Sequence, residues 1–482
     1  MDRPRKGDIL ELPITALAFG GKGIGRHDEF VVFVAGAVPG DTARVAVTEV
    51  KKRYAEARLL ELTQPSSDRR TSRCPAFGTC GGCVWQSLDY EVQLRYKTQQ
   101  VTDSLERLGG LRDFETLPIL HMDDPWRYRN RVDFSIGELE GQPVVGFRPP
   151  GVWDAVLPVT ECHLLPPAFE SIRTIVEAWL RDNNLSGWNS REHTGFARHL
   201  LIRGARFATT PELSAPDEGA TDGQEIVLSL VTVPAELPDA QGLVEKLRAS
   251  HPEIVGVVHA VNAGVAEVAT GLPSRTLWGR PFLLERVAGI TVKISVDAFF
   301  QTNTHMAHML YLKVAEEARD NAAARDSGPV VWDLFCGVGS IALSLAREAR
   351  AVLGIELVSA AVADANENAR LNLVTNATFL EGDVTKILRD VAHGERTLPK
   401  SLENPDVIVV DPPRAGLAKK AVDRIGRVGA PRIVYVSCNP STMAPNIAQF
   451  GEHGYRLKHV TPVDMFPHTP HIEAVGLLVR ET

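Results

Sequence analysis

The chain has 482 residues, a formal net charge of -8 and 44% hydrophobic residues. This apolar content supports packed cores and excludes a disordered chain, and the length predicts about three domains of about 150 residues each. No apolar run approaches the about 20 residues of a membrane span, and the opening residues lack the apolar stretch of a signal peptide. We therefore expect a soluble cytoplasmic protein that has no membrane partner.

The charges are distributed unevenly along the chain. Residues 1–73 carry 13 Lys and Arg against 10 Asp and Glu, whereas part of the acidic excess lies in residues 212–225. A local basic patch is enough for phosphate contacts, so the negative total does not exclude nucleic acid as a partner. The basic candidates for such contacts, each of which taken alone is more typical of a solvated surface charge, are Lys22, Arg26, Lys51, Lys52, Arg53, Arg129 and Arg131.

The first domain is predicted to be a small β-barrel over residues 1–65. Short β-type runs such as FVVFVAG alternate there with glycine turns such as GGKGIGR. Strands at this spacing, broken by Gly and Pro-Gly, are typical of an OB-like barrel.

The second predicted domain covers residues 66–290 and mixes helices with strands, which indicates an α+β fold. An amphipathic helix is predicted over 87–108, where a Gly-Gly pair ends the pattern. Strand-like runs follow, and an acidic loop near 207–224 interrupts two of them. We expect this loop to be solvated and assign it no role.

The third predicted domain, residues 291–482, has an alternating β/α rhythm that begins near residue 305. Apolar strands such as VVWDLF, AVLGIE and DVIVVDPP are separated by helical segments. Alternation with short connections predicts a mostly parallel, doubly wound, Rossmann-like sheet.

A strand-to-helix turn in this third domain reads DLFCGVGS over residues 333–340. Glycine allows close approach of a ligand, but the turn lacks both the G-x-G-x-x-G spacing and the lysine of a phosphate-binding loop. Glu356, Asp383 and Asp411 follow the next three strands, where an acidic residue can hydrogen-bond ribose hydroxyls. These features predict a crevice for S-adenosylmethionine. The alternatives are a dehydrogenase-like nucleotide site and carboxylates that serve only as helix caps.

Four of the six cysteines have the spacing of metal ligands. Cys74, Cys80 and Cys83 form C-x5-C-x2-C, and Cys162 follows at a distance. Four thiolates can hold either an iron–sulfur cluster or zinc, and disulfides are the remaining alternative. Clustered spacing and a reducing compartment argue against disulfides.

The other two cysteines are candidates for a nucleophile. Cys438 follows a buried-type strand in VYVSCNP, and Glu473 interrupts the apolar run HIEAVGLL. A thiolate can add reversibly to carbon 6 of a pyrimidine and later leave, and a carboxylate can remove the proton at carbon 5. Cys336 is the rival nucleophile, with a packing role beneath the glycine turn as its alternative. His468 and His471 are assigned no catalytic role.

Together these motifs resemble the uracil-5 RNA methyltransferase family. The matching segments are FFQTN, DLFCGVGSIAL, DPPRAGL, VSCNPST and VDMFPHTPHIEAVGLL. The resemblance implies that Cys438 is the nucleophile and Glu473 the general base. The donor-binding positions that it implies, together with those of the glycine turn, are Gln301, Phe335, Gly337, Ser340, Glu356, Asp383 and Asp411. Ser340 stands where some members have asparagine.

The resemblance extends to the amino-terminal half of the chain. Residues 7–63 resemble a TRAM domain, an OB-like barrel that grips RNA. Family members with that domain often carry a [4Fe–4S] cluster, which implies that Cys74, Cys80, Cys83 and Cys162 are its ligands. We expect this cluster to be structural rather than redox-active, because methyl transfer moves no net electrons.

The predicted function is therefore that of an S-adenosylmethionine-dependent RNA (uracil-5-)-methyltransferase. It would methylate carbon 5 of a specific uridine through a covalent cysteine–C6 adduct, with ribosomal RNA favoured slightly over transfer RNA. The alternatives are a non-catalytic iron–sulfur RNA-binding protein that retains the fold, and a methyltransferase for small molecules or proteins. RNA is the expected partner, and no obligatory protein partner is evident.

Overall fold

The computed structural model describes residues 3–206, 224–319 and 328–481. The predicted acidic loop near 207–224 therefore lies outside the described residues, apart from its last position. No helix within the described part of the chain combines the length and the apolar character needed to cross a membrane.

The amino-terminal strands close into a barrel, as predicted. In the described residues the barrel consists of β1 (Ile9–Leu17), β2 (Gly23–His27), β3 (Phe30–Ala35), β4 (Thr42–Val50) and β5 (Tyr54–Gln64). Their hydrogen-bonded order is β1-β2-β3-β5-β4, closed by pairing of β4 with β1. Alternate residues such as Val32 and Val34 point inward and are fully buried, as the period of a β-strand requires.

Helix α1 (Tyr90–Arg107) follows the barrel and the cysteine-rich segment. Its start is capped by Asp89, whose side chain accepts a hydrogen bond from the Glu91 amide at 3.1 Å. Val101 and Leu105 are buried in a core cluster shared with the carboxy-terminal sheet, so α1 packs on that sheet rather than on the barrel alone.

The central part of the chain is built on a mixed sheet with two helices on it. Its described strands, in spatial order, are β13 (Ser274–Gly279), β12 (Ile254–Val261), β11 (Glu225–Thr232), β10 (Ala197–Ala205), β7 (Arg131–Leu139), β8 (Gln142–Phe147) and β9 (Leu157–Pro158). The helices are α2 (Pro167–Asp182) and α3 (Ala240–Ser250). Apolar side chains of α2, α3 and the sheet form one core, for example Ile172, Leu243 and Leu228.

A hairpin of β14 (Phe282–Val287) and β15 (Ile290–Ser295) leads into the last part of the chain. The amides of Thr291 and Lys293 donate to the side chains of Asn372 and Asn368 at 2.7 and 2.8 Å, so the hairpin is tied to the carboxy-terminal part. The predicted boundary between residues 290 and 291 lies at the turn of this hairpin, and the three-domain division stays a prediction.

The carboxy-terminal sheet is doubly wound, as the alternating rhythm predicted. Its described strands, in spatial order, are β18 (Ala377–Glu381), β17 (Ala351–Glu356), β16 (Val330–Leu334), β19 (Val407–Val410), β20 (Arg432–Ser437), β22 (Glu473–Arg480), β21 (Tyr455–Val463) and β6 (Glu115–Thr116). The helices are α4 (Thr304–Ala318), α5 (Ser340–Leu345), α6 (Ser359–Leu371), α7 (Val384–Ala392), α8 (Lys419–Val428) and α9 (Pro440–Gly451), with a 3-10 turn at Lys400–Leu402.

Strand direction in this sheet decides where the polar residues meet. The run from β18 to β20 is parallel throughout, with β16 at its centre and the order reversing between β16 and β19. The strand β22 is antiparallel to β20. The carboxyl ends of the parallel strands and the start of β22 therefore share one edge of the sheet, at the topological switch point where ligands bind.

Candidate functional site

The predicted donor turn lies at this switch point, directly after β16. Phe335 and Gly337 both have positive φ angles, 70° and 54°, so the chain bends sharply before α5 begins. Glu356, at the end of β17, accepts hydrogen bonds from the Gly337 amide at 3.1 Å and from the Val358 amide at 2.9 Å. A Cβ placed on Gly337 would meet no atom within 4 Å, which leaves open space beside the turn. Glu356 therefore holds the turn in place, and the open space lies where a side chain at Gly337 would stand.

Two carboxyl groups of the sheet have raised pKa values: Asp333, fully buried in β16, and Asp411, half-buried after β19. Burial raises the pKa of Asp333 to about 8, the nearby Asp411 charge adds to the increase, and a hydrogen bond with the Ala342 backbone opposes it. Burial likewise raises the pKa of Asp411 to about 6. Carboxyl groups with raised pKa values fit a ligand with positively charged groups, which would stabilise their ionised forms. S-adenosylmethionine carries both an ammonium and a sulfonium group.

Tyr311 of α4 closes the buried side of the site, and sequence reasoning missed it. Its hydroxyl is a hydrogen-bond partner of the Ser340 side chain and lies close enough to Asp411, Asp333 and Glu473 for their charges to act on it. Burial and these charges raise its pKa, so the phenol stays neutral. A tyrosine inside a helical pattern carries no signal of this position, whereas Asp333 could have been found as an acidic residue inside an apolar strand.

The remaining predicted donor residues, Asp383 and Gln301, have other partners. The Asp383 side chain caps α7 by accepting from the Lys386 amide at 2.8 Å, which is the helix-cap alternative considered for the sequence. The Gln301 carbonyl accepts from the side chain of Asn130 at 2.8 Å, which anchors the segment before α4 to the central sheet. The donor roles of Asp383 and Gln301 stay predictions.

The candidate nucleophile and base are brought together by strand register. Ser437 of β20 pairs with Ala474 of β22 in an antiparallel register. Cys438 follows Ser437 and Glu473 precedes Ala474, so the two residues lie opposite each other on the same side of that pair. Glu473 also pairs with Val463 of β21 and is 4% exposed, which makes it a buried residue inside the sheet rather than a surface carboxylate. The thiol and the carboxyl therefore emerge side by side at the donor edge.

Burial controls the ionisation of both groups. It raises the pKa of Cys438 to about 11, with further increases from the charges of Glu473 and Asp411. Burial also raises the pKa of Glu473 well above its ordinary value, again with a contribution from Asp411. The guanidinium of Arg414 opposes both shifts. The environment at this edge thus disfavours the ionised forms of both reactive groups.

Cys336 has a different environment from Cys438. It is buried beneath the turn, where a Cβ placed on Gly354 of β17 would lie 2.9 Å from its sulfur. Burial, with the nearby Asp333 and Glu356 charges, raises its pKa far above the ordinary value for a thiol. This position suits a packed side chain, the alternative considered for the sequence.

The four remaining cysteines line one cavity between the segment of residues 74–83 and the central sheet. The cavity has a volume of about 450 Å³ and is lined by Cys74, Cys80, Cys83 and Cys162, together with Arg129. Burial is the main cause that raises the pKa of Cys83 to about 12 and of Cys162 to about 11, with a further increase from Cys162 on the first thiol and from Glu170 on the second. In the described residues, no three His, Cys, Asp or Glu side chains are grouped closely enough to hold one metal ion.

The basic candidates for RNA contact divide into two groups. Arg131 is internal, because it pairs with Asp133 at 2.9 Å and donates to the Ala298 carbonyl at 3.1 Å. Lys22 of the barrel pairs with Glu56 at 2.8 Å. The segment Lys51–Arg53, between β4 and β5, is exposed. The barrel segment is therefore better placed for phosphate than the central arginine.

Comparison with known proteins decides the family. Residues 286–481 match the family model described as tRNA (Uracil-5-)-methyltransferase, and residues 3–60 match the TRAM domain. An uncharacterised RNA methyltransferase of Halalkalibacterium halodurans is 35% identical over 474 residues, which cover 98% of this chain and 97% of that protein. The chain belongs to the uracil-5 RNA methyltransferase family. The barrel is accordingly a TRAM domain, and the doubly wound sheet is a methyltransferase fold.

Further relatives of this methyltransferase agree over its full length. An uncharacterised RNA methyltransferase of Chlorobaculum tepidum is 35% identical and covers 99% of the chain and 98% of its own length. The solved tRNA (uracil-54, C5)-methyltransferase of Pyrococcus abyssi, in complex with S-adenosyl-L-homocysteine, has a TM-score of 0.75 at 26% identity and covers 98% of this chain and 100% of its own. The protein is an RNA methyltransferase that uses S-adenosylmethionine.

Proposed function

We propose that this enzyme methylates carbon 5 of one specific uridine in RNA through a covalent bond between Cys438 and carbon 6 of the uracil. The observation that carries the proposal is the antiparallel register of β20 and β22, which brings Cys438 and Glu473 together beside the donor turn. Carbon 5 of uracil is a weak nucleophile until carbon 6 carries a thiolate, so a thiol and a base at one site fit this reaction.

The proposed reaction uses these two residues in turn. The Cys438 thiolate adds to carbon 6 and generates an enolate whose carbon 5 is nucleophilic. S-adenosylmethionine, as the second substrate, would supply the electrophilic methyl group to carbon 5 and leave as S-adenosylhomocysteine when the methyl–sulfur bond breaks. The Glu473 carboxylate then removes the proton from carbon 5, and the electron pair of that bond re-forms the double bond as the thiolate leaves. Cys438 and Glu473 therefore end in the states in which they began, once the carboxyl proton is released.

The donor site is proposed to be the edge around the glycine turn. Glu356 accepts a hydrogen bond from the Gly337 amide of the turn and is proposed to contact the ribose, and the charge of Asp411 acts on both Cys438 and Glu473. The residues proposed to contact the donor are Gln301, Phe335, Gly337, Ser340, Glu356, Asp383 and Asp411. The buried carboxyl of Asp333 supports the proposal, because a cationic ligand would stabilise its ionised form.

We also propose that Cys74, Cys80, Cys83 and Cys162 hold a [4Fe–4S] cluster. The four residues line one cavity, and burial raises the pKa of Cys83 and Cys162, so thiolates at these two positions would need a cationic partner. Four thiolates satisfy either an iron–sulfur cluster or zinc. The presence of all four thiols in one cavity, together with the resemblance of their sequence spacing to that of cluster-carrying family members, supports the cluster.

We propose a separate role for each of the three predicted parts of the chain. Residues 1–65 bind RNA, residues 66–290 carry the cysteine site, and residues 291–482 bind the donor and perform the chemistry. The exposed basic residues Lys51–Arg53 support the assignment of the barrel. A location in the cytoplasm, where thiols remain reduced, suits this set of groups.

Ribosomal RNA is the first candidate substrate, on the resemblance of the barrel and cysteine pattern to family members that carry a cluster. Transfer RNA is the second candidate, because the Pyrococcus relative is a tRNA (uracil-54, C5)-methyltransferase. In either RNA the target base must leave its stack to reach a buried thiol and carboxyl.

The test is to incubate the purified enzyme and labelled S-adenosylmethionine with unmodified ribosomal and transfer RNA, and to map the product by mass spectrometry. We expect 5-methyluridine at one site in one of the two RNAs. A product at carbon 5 of cytosine, or methylation of protein or of a small molecule instead of RNA, would contradict the proposal. RNA binding without any methyl transfer would favour a non-catalytic RNA-binding protein.

A further inference from the structure

Several buried polar contacts hold the loop that precedes Glu473. This loop, residues 464–472, leaves the sheet after Val463 and returns at Glu473, and these two residues pair with each other. Its central residue His468 is buried and has a φ angle of 65°. A bulky residue in the left-handed region persists only where its surroundings hold it. The contacts described next supply that hold.

Gln93 of α1 binds the backbone and the ring of His468 at once. Its side-chain oxygen accepts from the His468 amide at 3.0 Å, and its side-chain nitrogen donates to the His468 Nδ1 at 3.2 Å. The same nitrogen also lies 3.0 Å from the carbonyl oxygens of Trp85 and Leu88, so its two hydrogens are shared among three acceptors. Gln93 is fully buried, so none of these contacts competes with water.

One turn further along α1, Lys97 holds the beginning of the loop. Its ammonium forms an ion pair with Asp464 and donates to the Phe466 carbonyl at 3.0 Å. Tyr90, one turn before Gln93, donates its hydroxyl to Asp464 at 2.8 Å. Residues three or four positions apart lie on one face of a helix, so α1 presents Tyr90, Gln93 and Lys97 together.

The cysteine segment, residues 74–85, also contacts this loop, and so do the side chains of Trp126 and Tyr128. The amides of Val84 and Trp85, which directly follow Cys83, both donate to the His468 carbonyl at 3.0 Å. The ring of Trp126 stacks on the ring of His468 with 3.9 Å between centroids. Tyr128 donates its hydroxyl to the Pro467 carbonyl at 3.1 Å.

We propose that Gln93 is a positioning residue for proton removal: by fixing His468, it holds the 464–472 loop so that Glu473 faces carbon 5 of the bound uracil. The inference rests on the proposed role of Glu473. Gln93 and Glu473 are 380 positions apart in the chain, and they communicate through the loop that ends at Glu473. The cysteine segment supports the same loop, so the integrity of the cysteine site contributes to this geometry.

The test compares two glutamine variants of the same helix in the full-length enzyme. Gln93→Leu removes the contacts to His468, whereas Gln100→Leu is the matched control, because Gln100 is also buried in α1 but donates to the Ala18 carbonyl of the barrel at 3.3 Å. Misplacement of a reacting group by about 1 Å can cost about 100-fold in rate. We expect Gln93→Leu to lower kcat by about 10- to 100-fold and to accumulate a denaturation-resistant RNA–enzyme adduct, with donor affinity unchanged.

Two His468 variants keep the inference testable if Gln93→Leu does not fold. Asn tolerates a positive φ and can offer an acceptor to Gln93 in place of Nδ1, so His468→Asn should turn over close to the wild-type rate. His468→Ala offers none and should accumulate adduct.

The outcomes separate the inference from the proposed function. Adduct accumulation by Glu473→Gln together with normal turnover by Gln93→Leu, or equal activity of His468→Ala and His468→Asn, would overturn the positioning role alone. Absence of any adduct in Glu473→Gln would overturn the proposed role of Glu473 and the inference with it.

Discussion

At the scale of single residues, burial at the active edge disfavours the ionised forms of the two groups that the proposed reaction uses. Burial raises the pKa of Cys438 to about 11 and that of Glu473 well above its ordinary value, and Asp411 adds to both shifts. Arg414 is the cation that opposes them, and its backbone is fixed to the Cys438 loop because its carbonyl accepts from Asn439 at 3.2 Å. Ligand binding that brings positive charge to Asp411 would relieve part of the penalty on both reacting groups.

Replacing Cys438 by alanine should abolish methylation and leave donor binding intact. The thiol is needed for addition to carbon 6, whereas the proposed donor contacts come from other strands. The measurement is turnover with labelled donor beside calorimetric titration of the donor. A Cys438→Ala enzyme with substantial turnover would contradict the assignment, and Cys336→Ala is the matched control that should keep activity.

Activity should rise with pH through the neutral and alkaline range. The reaction needs the thiolate of Cys438, and burial raises the pKa of this thiol to about 11. Below pH about 11, each increase of one pH unit should therefore raise the thiolate fraction about tenfold. Because Arg414 lowers the pKa of Cys438, Arg414→Met should move the profile of kcat/KM to higher pH. A profile that falls between pH about 7 and about 9, or one that does not move in Arg414→Met, would contradict this account.

At the scale of elements, the sequence predicted the individual strands and helices better than the way in which they pack together. The apolar runs ending in Glu356, Asp411 and Ser437 identify buried parallel strands, and the direction of such strands places their ends at one edge. Helix α1 was predicted from its amphipathic pattern, yet its buried Gln93 and Lys97 face partners more than 360 positions away. No local pattern encodes contacts over that separation, because they depend on how the finished elements pack.

The same limit applies to charged residues whose partners come from another part of the fold. Arg131 stands in the basic run WRYRNR and was a candidate for RNA contact. The structure shows that it pairs with Asp133 and holds the Ala298 carbonyl before the FFQTN segment. Tyr311 was missed for the opposite reason, since it lies within a helix whose pattern is satisfied by packing alone, whereas Asp333 carried a signal as an acidic residue inside an apolar strand.

The cysteine segment provides the prediction at this scale. Protein purified without oxygen should contain about four irons per chain, and Cys80→Ser should lose iron and thermal stability while it keeps its affinity for the donor. The proposed donor residues lie after position 300, whereas the residues that line the cysteine cavity lie before position 166, apart from Thr302. Iron analysis, melting temperature and donor titration check this. Stoichiometric zinc in place of iron would refute the cluster, and unchanged iron in Cys80→Ser would remove that ligand.

At the scale of the whole molecule, a series of contacts connects the barrel, the cysteine segment and the loop that leads to Glu473. The barrel is packed against the cysteine segment, where Trp85 is buried with Leu17 and Val38 of the barrel. The same segment supports the loop that leads to Glu473 through the amides of Val84 and Trp85. The similarity to relatives covers 98% to 99% of the chain and so includes all of these parts.

Deleting residues 1–63 should weaken RNA binding more than donor binding. Phosphate contacts lose affinity steeply with salt, with a log–log slope of roughly -0.7 per contact for single strands. The truncated enzyme should therefore have a higher KM for RNA and a shallower salt dependence, measured by titration at several salt concentrations. An unchanged affinity and slope would contradict the role of the barrel. The triple replacement of Lys51, Lys52 and Arg53 by Gln is the control that keeps the barrel folded and should reproduce the change in slope.

The covalent adduct tests the central claim most directly. In the Glu473→Gln enzyme, the Cys438 thiol should still add to the uracil and carbon 5 should still receive the methyl group. Removal of the proton from carbon 5 should fail, so turnover should fall by about 10²- to 10⁴-fold. Denaturing electrophoresis and peptide mass spectrometry after incubation with RNA and S-adenosylmethionine should therefore show RNA bound to Cys438 through a methylated uracil. An adduct on Cys336, or undiminished methylation without any adduct, would contradict the account.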